Sequence, residues 1–135
     1  MKPGFRIGLR VVMKWLLGLL FVAGGVNHFV SADKYVAIMP PYLPGPLTLV
    51  YLSGVAEAAL GLLLLVPKFA RIAAWGLIAL LVAVFPANLH MALHPELFPQ
   101  FPALALWIRL PLQGVLIAWA YRFTRRGPAA TSSPR

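Results

Sequence analysis

Seven polar side chains with ligand-binding or proton-transfer chemistry interrupt long apolar segments of this 135-residue chain. A carboxylate or an imidazole exchanges protons, whereas a guanidinium or an amide donates hydrogen bonds to oxygen atoms. Glu57 and His28 are therefore the candidates for a catalytic role, which the sequence does not otherwise define. The candidates for binding a small molecule or cofactor are Asn27, Ser53, Glu57, Asn88, Arg109 and Gln113.

The spacing of these residues predicts an inward-facing ion pair. Ser53 and Glu57 are four residues apart, as are Arg109 and Gln113, so each pair shares one face of a helix. An ionised side chain at the centre of a membrane-spanning helix costs about 3 kcal/mol. We therefore expect Glu57 and Arg109 to meet, with Ser53 and Gln113 completing their hydrogen bonds. Arg109 lies nearer the outer boundary than Glu57, so the length of arginine or a bridging water must cover the offset.

Metal and thiol chemistry are not expected of this sequence. The three histidines lack the spacing of metal ligands on one helix, and there is no cysteine for a disulfide, a thiolate ligand or thiol redox chemistry. We identify no ligand set for haem, an iron–sulfur cluster or flavin. No covalently bound cofactor is therefore expected.

The elements that must position these side chains are apolar segments of membrane-spanning length. Hydrophobic residues make up 61% of the chain and charged residues only 11%, which is unlike a water-exposed globular protein. About 20 apolar residues suffice to cross the hydrocarbon core. The sequence predicts an all-α integral membrane four-helix bundle in one domain, with spans at residues 11–29, 47–66, 69–92 and 104–123.

The positive charge is placed as in a multi-pass membrane protein. A net charge of +9 suggests nucleic-acid binding in a soluble protein, but here the charge lies in three bands between apolar segments. With the N-terminus in the cytoplasm, every Lys and Arg except Lys34 and Arg109 lies at the inner side. The prediction is a cell (inner or plasma) membrane protein with both termini cytoplasmic, surrounded by the lipid bilayer and without a nucleic-acid partner.

The basic ends are predicted to lie outside the bundle. Residues 1–10 form a basic cytoplasmic N-terminus, residues 11–123 the four-helix domain, and residues 124–135 a basic disordered tail. A cleavable signal peptide is an alternative for the first span. The apolar run of this segment is long and ends in Asn27 and His28, which favours a membrane span over a signal peptide.

Small residues and prolines shape the predicted helices. Gly25 and Gly54 belong to small-residue stripes that allow close helix packing. On an ideal helix Asn88 and His90 point about 160° apart, so both face the interior only if Pro86 kinks or unwinds that turn. The sequence leaves open which of the two faces inward.

Five short segments in order resemble the DoxX-like family of small four-span membrane proteins. The segments are residues 25–29, 39–44, 53–57, 85–88 and 109–113, and the resemblance extends from about residue 18 to residue 123. It implies a four-helix membrane protein that handles a quinone or another small apolar molecule with a polar head, as an accessory subunit of a quinone-linked redox system. In that interpretation Arg109, Asn88 and Gln113 donate to a quinone carbonyl in the outer half of the bundle, and Glu57 or His28 exchanges protons.

The same residues are open to other functional interpretations. A quinone-linked subunit would be part of an oxidoreductase and would need a soluble or membrane redox partner to supply electrons. A non-catalytic scaffold or assembly protein would use the Glu57–Arg109 pair only to lock its helices. A small-solute carrier would have to act as a homo-oligomer, since one short chain has few helices to form two gates. Whether the protein is an enzyme is left open by its sequence.

Overall fold

The regular structure is helical throughout the part of the chain that the computed structural model describes, which is residues 2–37, 39 and 41–125. No β-strand occurs within these residues, and the all-α prediction is confirmed. The α-helices are α1 (Pro3–Val30), α2 (Ala32–Ala37), α3 (Pro46–Leu64), α4 (Ala70–Leu93) and α5 (Ala103–Tyr121). Two short 3-10 segments follow α4 and α5, at Pro95–Leu97 and Arg122–Thr124.

Four of these helices, α1, α3, α4 and α5, are long and apolar enough to cross a membrane. The predicted spans correspond to them with small differences at their ends. The largest difference is at α1, which begins at Pro3 rather than near residue 11. Its 28 residues measure about 42 Å, more than the roughly 30 Å of a hydrocarbon core. Of the predicted disordered tail, residues 126–135 lie outside the described residues.

Helix α1 packs closely against α3 at two glycine contacts. A Cβ atom on Gly25 would lie 2.6 Å from the backbone nitrogen of Ala58, and one on Gly18 would lie 2.9 Å from the carbonyl oxygen of Gly61. Only glycine permits such an approach, because any side chain would collide with backbone that cannot move aside. The interface places the last turns of α1 directly beside the first half of α3.

The helices pack in chain order, α1 against α3, α3 against α4 and α4 against α5. We call the end of the bundle that holds the start of α1, the α3–α4 turn and the end of α5 the basic end. The opposite end, where α2 and the connection from α4 to α5 lie, is the loop end. An apolar core nearer the basic end contains Leu17, Leu64, Leu77 and Ala120, one residue from each long helix.

Both internal prolines lie within continuous helices. Helix α4 runs through Pro86 to Leu93, and α5 runs through Pro111 to Tyr121. Helix α4 therefore does not end or unwind at Pro86. Its residues 80, 81, 84, 87 and 88 form one face directed into the bundle.

Candidate functional site

A cavity of about 170 Å³ lies among the helices toward the loop end. Its walls are largely apolar, with Phe21, Val50, Leu81 and Val84 among the lining residues. Polar side chains reach it from α1, α2, α3, α4 and α5, so the site is built from every helix of the bundle. The polar lining residues are His28, Tyr35, Ser53, Glu57, Asn88 and Arg109.

His28 and Glu57 form an ion pair across the α1–α3 interface. His28 Nε2 lies 3.0 Å from Glu57 Oε2, and His28 is buried whereas Glu57 is partly exposed. The close packing at Gly54 makes this contact geometrically available. A Cβ on that glycine would lie 2.7 Å from the His28 Cβ, so nothing larger fits beside the histidine.

The second nitrogen of His28 determines how the pair holds its proton. Nδ1 lies 3.1 Å from the carbonyl oxygen of Val50. A carbonyl only accepts hydrogen bonds, so this contact requires a proton on Nδ1. One further proton is then shared between Nε2 and the Glu57 carboxylate, either as imidazolium with carboxylate or as imidazole with carboxylic acid. In both forms the pair is neutral overall and can release or accept a proton at the cavity.

Ser53 supports the histidine from α3. Its Oγ lies 3.1 Å from His28 Nδ1 and donates to the Val50 carbonyl at 3.0 Å. With its hydrogen directed to Val50, the hydroxyl oxygen is free to accept from Nδ1–H. Ser53 therefore orients the imidazole, as an outer partner of the His28–Glu57 pair.

Tyr35 also lines the cavity, although the sequence pattern did not predict it as a site residue. Its ring centroid lies 4.1 Å from that of His28, and its hydroxyl accepts a hydrogen bond of 2.9 Å from Asn27 Nδ2. Asn27 itself is exposed and also accepts from the Ser31 hydroxyl, so it contacts Tyr35 and not the cavity. The seven-residue spacing of His28 and Tyr35 was an available signal, but α1 and α2 are separate helices that meet at Ser31.

The predicted Glu57–Arg109 ion pair does not form, because Glu57 is paired with His28 instead. Arg109 donates from Nη1 to the sulfur of Met91 at 3.7 Å and makes no ion pair within the described residues. The physical reason is helix adjacency. Glu57 is on α3, which packs against α1 and α4, whereas Arg109 is on α5, which packs mainly against α4. The two residues line the same cavity without meeting.

Asn88, and not His90, lies at the cavity. Its Nδ2 donates to Gln113 Oε1 at 2.7 Å, and the buried Gln113 donates in turn to the carbonyl of Leu81. Gln113 thus positions Asn88 by accepting its hydrogen bond and does not itself line the cavity. The ring of His90 instead packs against Phe98, which lies in the connection between α4 and α5.

Within the described residues no group of three His, Asp or Glu side chains is placed to hold a metal ion.

The geometry separates the predicted binding residues into two groups. Asn27 and Gln113 act through neighbours that line the cavity. The structure brings four of the predicted binding residues to one cavity together with His28, namely Ser53, Glu57, Asn88 and Arg109.

A protein family described as a domain of unknown function (DUF8561) matches residues 17–124. The chain belongs to this family. The matched region contains the whole cavity and all of its polar lining residues. No match was found among curated proteins or among solved structures.

Proposed function

We propose that this protein binds a quinone-type ring compound in the loop-end cavity and exchanges a proton with it, as an accessory subunit of a membrane redox system. The observation that carries the proposal is the placement of Arg109. Its guanidinium lines the same cavity as the neutral His28–Glu57 pair, and its one polar contact in the described chain is a thioether sulfur. A half-buried guanidinium with a weak acceptor favours a ligand that offers carbonyl oxygens.

The size and lining of the cavity suit one ring. A cavity of about 150 Å³ accommodates benzene, and this one measures about 170 Å³ with mostly apolar walls. A hydrophobic tail on such a ligand would pass between the helices into the bilayer. A ring with polar substituents fits this lining better than an extended polar solute, which would leave its hydrogen bonds unmet along the apolar walls.

The chain's own residues have distinct roles in this proposal. Arg109, and the Nδ2 hydrogen of Asn88 that is not directed to Gln113, are donors to a carbonyl oxygen. His28 and Glu57 hold the exchangeable proton between Nε2 and Oε2, while Ser53 and Val50 hold the imidazole in place. Reduction of a bound quinone consumes two electrons and two protons. A soluble or membrane redox partner would supply the electrons, and the His28–Glu57 pair would donate its shared proton twice, taking up a proton from water at the loop end after each transfer.

The DoxX-like resemblance and the distribution of charge support the cellular setting of this proposal. Lys and Arg residues concentrate at the basic end, which would face the cytoplasm of a cell or inner membrane with both termini inside. The cavity would then lie in the half of the bilayer away from the cytoplasm. A redox partner would reach the loop end from that side or within the membrane.

The test is mass spectrometry of quinones that co-purify with the full-length protein, followed by binding of a short-chain quinone. Arg109→Gln is the test variant, and Arg122→Gln is the control because Arg122 is exposed at the basic end. Loss of a charge-assisted hydrogen bond worth about 1.5–3 kcal/mol should weaken quinone binding at least tenfold in Arg109→Gln alone.

A ring compound of the same shape without carbonyl groups tests whether the polar residues take part. It should bind much more weakly than the quinone to the wild-type protein and equally to wild type and Arg109→Gln. Equal quinone binding by wild type and a folded Arg109→Gln variant would contradict the proposal. So would a wild-type protein that neither carries quinone nor gains thermal stability from it, and the scaffold interpretation would then be preferred.

A further inference from the structure

A second cavity, of about 350 Å³, lies at the basic end, where three separate chain segments meet. Arg10 and Lys14 reach it from α1, and Arg71 from the first turn of α4. Arg125 and the buried ring of Phe123 close it from the segment after α5. The four cationic side chains therefore surround one space, although they come from three segments that are far apart in the sequence.

The chain supplies no acidic side chain to balance these four charges. Its three acidic residues are Asp33, Glu57 and Glu96, of which the first lies on α2, the second at the loop-end cavity and the third in the connection from α4 to α5. Both ion pairs within the described residues have histidine as the cation. Four like charges around one cavity repel each other, and an external anion would relieve that repulsion.

Two of the guanidinium groups are already held in position. Arg10 Nη2 donates to the carbonyl of Arg125 at 2.9 Å, and its guanidinium carbon lies 5.1 Å from the centre of the Phe123 ring. Arg71 Nε donates to the carbonyl of Thr124 at 3.0 Å. These contacts hold the segment that follows α5 in place, which explains part of the arrangement. They leave the other N–H donors of both guanidinium groups available, and Lys14 makes no hydrogen bond within the described chain.

The surroundings of this cavity match the membrane–water boundary. Counting about 1.5 Å per residue back from Val30, a hydrocarbon core of roughly 30 Å ends near Arg10. Exposed Trp15 and Trp75 lie at the same end, and the Trp75 ring meets Tyr121 edge to face at 6.0 Å. Tryptophan and tyrosine with basic residues at this depth are typical of the headgroup region. An occupant that reaches the cavity from the bilayer would bring its acyl chains along the apolar face of α1.

We infer that the basic-end cavity binds the phosphate group of an anionic phospholipid. Arg10 and Arg71 donate hydrogen bonds to the phosphate oxygens, and Lys14 and Arg125 add charge around them. This site is distinct from the loop-end cavity, and the inference is independent of the quinone proposal. It depends only on the four helices spanning a bilayer.

The test compares two double variants near the start of α1 that remove the same charge. Arg10→Gln/Lys14→Gln changes two cavity residues, whereas Lys2→Gln/Arg6→Gln changes two exposed residues of the same helix end. Binding of phosphatidylglycerol to the full-length protein in detergent is measured by native mass spectrometry. Phosphatidylcholine with the same acyl chains and inorganic phosphate are the comparison ligands.

We expect one tightly retained phosphatidylglycerol in wild type and in Lys2→Gln/Arg6→Gln, with affinity lowered about tenfold or more in Arg10→Gln/Lys14→Gln. Equal loss in both double variants would overturn the inference, because it would indicate only general attraction to the basic end. Equal retention of phosphatidylcholine would overturn it as well. Competition by inorganic phosphate at similar concentration would show a site for free phosphate and not for lipid.

A single variant keeps the test valid if Arg10→Gln disturbs the segment that follows α5. Lys14→Gln removes a cavity charge without removing a hydrogen bond of the described chain. It should lower phosphatidylglycerol affinity by several-fold and leave the unfolding temperature in detergent unchanged. Unchanged affinity in this folded variant and in Arg71→Gln together would contradict the inference.

Discussion

The loop end and the basic end of this bundle differ in whether their charged side chains have partners of opposite charge. At the loop end Glu57 is paired with His28 inside the protein, and Arg109 stands alone beside that neutral pair. At the basic end four cations surround a cavity with no acidic side chain. The first arrangement is suited to a nearly neutral ligand with polar groups, and the second to an anion. Under the two proposals, the acidic side chain at the loop end and the lack of one around the basic-end cavity determine which kind of ligand each cavity would bind.

The largest effect should come from helix packing, which differs along α1 between the two ends. Replacement of Gly25 by leucine would force a side chain against the backbone of α3, at a cost of about 3 kcal/mol or more. Gly8, near the basic end, has open space around its Cβ position, so Gly8→Leu is the matched control and should leave stability nearly unchanged. Unfolding by denaturing detergent measures both, and equal losses would contradict the described α1–α3 interface.

A smaller effect is expected from changes to the charged residues themselves. Glu57→Leu leaves His28 Nε2 without its partner and should destabilise the protein by about 1–3 kcal/mol. Glu57→Gln places an amide N–H that can donate to the unprotonated Nε2, so it should retain most of the stability while losing the shared proton. By contrast, Lys14→Gln should change stability by less than about 0.5 kcal/mol in the absence of anionic lipid. A Glu57→Leu protein as stable as wild type would show that the pair does not stabilise the bundle.

Salt should distinguish the two ends as binding sites. Raising the ionic strength from about 0.01 M to 0.15 M shortens the screening length from about 30 Å to about 8 Å. Anionic lipid binding at the exposed basic end should therefore weaken several-fold over this range. Quinone binding in the loop-end cavity should change much less, since the His28–Glu57 pair is neutral overall and the ligand is uncharged. A similar salt dependence at both ends would contradict the inference that the basic-end cavity binds an anion and the loop-end cavity an uncharged ligand.

The smallest effect concerns Tyr35, whose hydroxyl is held by Asn27 at the margin of the loop-end cavity. Tyr35→Phe should cost about 0.5–1 kcal/mol, because the lost hydrogen bond is partly exposed to solvent. Asn27→Ala also loses the contact with the Ser31 hydroxyl and should cost somewhat more, and the double variant should cost no more than Asn27→Ala alone. Strictly additive losses in equilibrium unfolding would show that the two residues act separately.

The four long apolar helices were predictable from sequence because hydropathy accumulates locally along each helix. Residues 47–66 and 69–92, for example, correspond closely to α3 and α4. Most of the site was also predictable in its composition, because a polar residue in an apolar helix needs an internal partner. Ser53, Glu57, Asn88 and Arg109 all line the cavity.

The partners of these residues were less predictable. Pairing Glu57 with Arg109 followed from charge alone, and the fold pairs it with His28 because α1 packs beside α3. Asn27 fails to reach the cavity because its direction depends on how α1 is rotated in the bundle. The residue pattern of one helix does not specify how that helix is rotated in the bundle, because packing against the other helices sets its rotation.

By itself the sequence therefore determined the helical class, the four apolar segments and the excess of positive charge at one end. These depend on composition and on spacing within a helix, where the geometry is known in advance. The tertiary structure alone decided that Glu57 meets His28, that Arg109 is left without an acidic partner, and that Arg10, Lys14, Arg71 and Arg125 surround one cavity. The physical reason is that helix neighbours are chosen by close contacts such as that of Gly25 with Gly54, between residues distant in the chain.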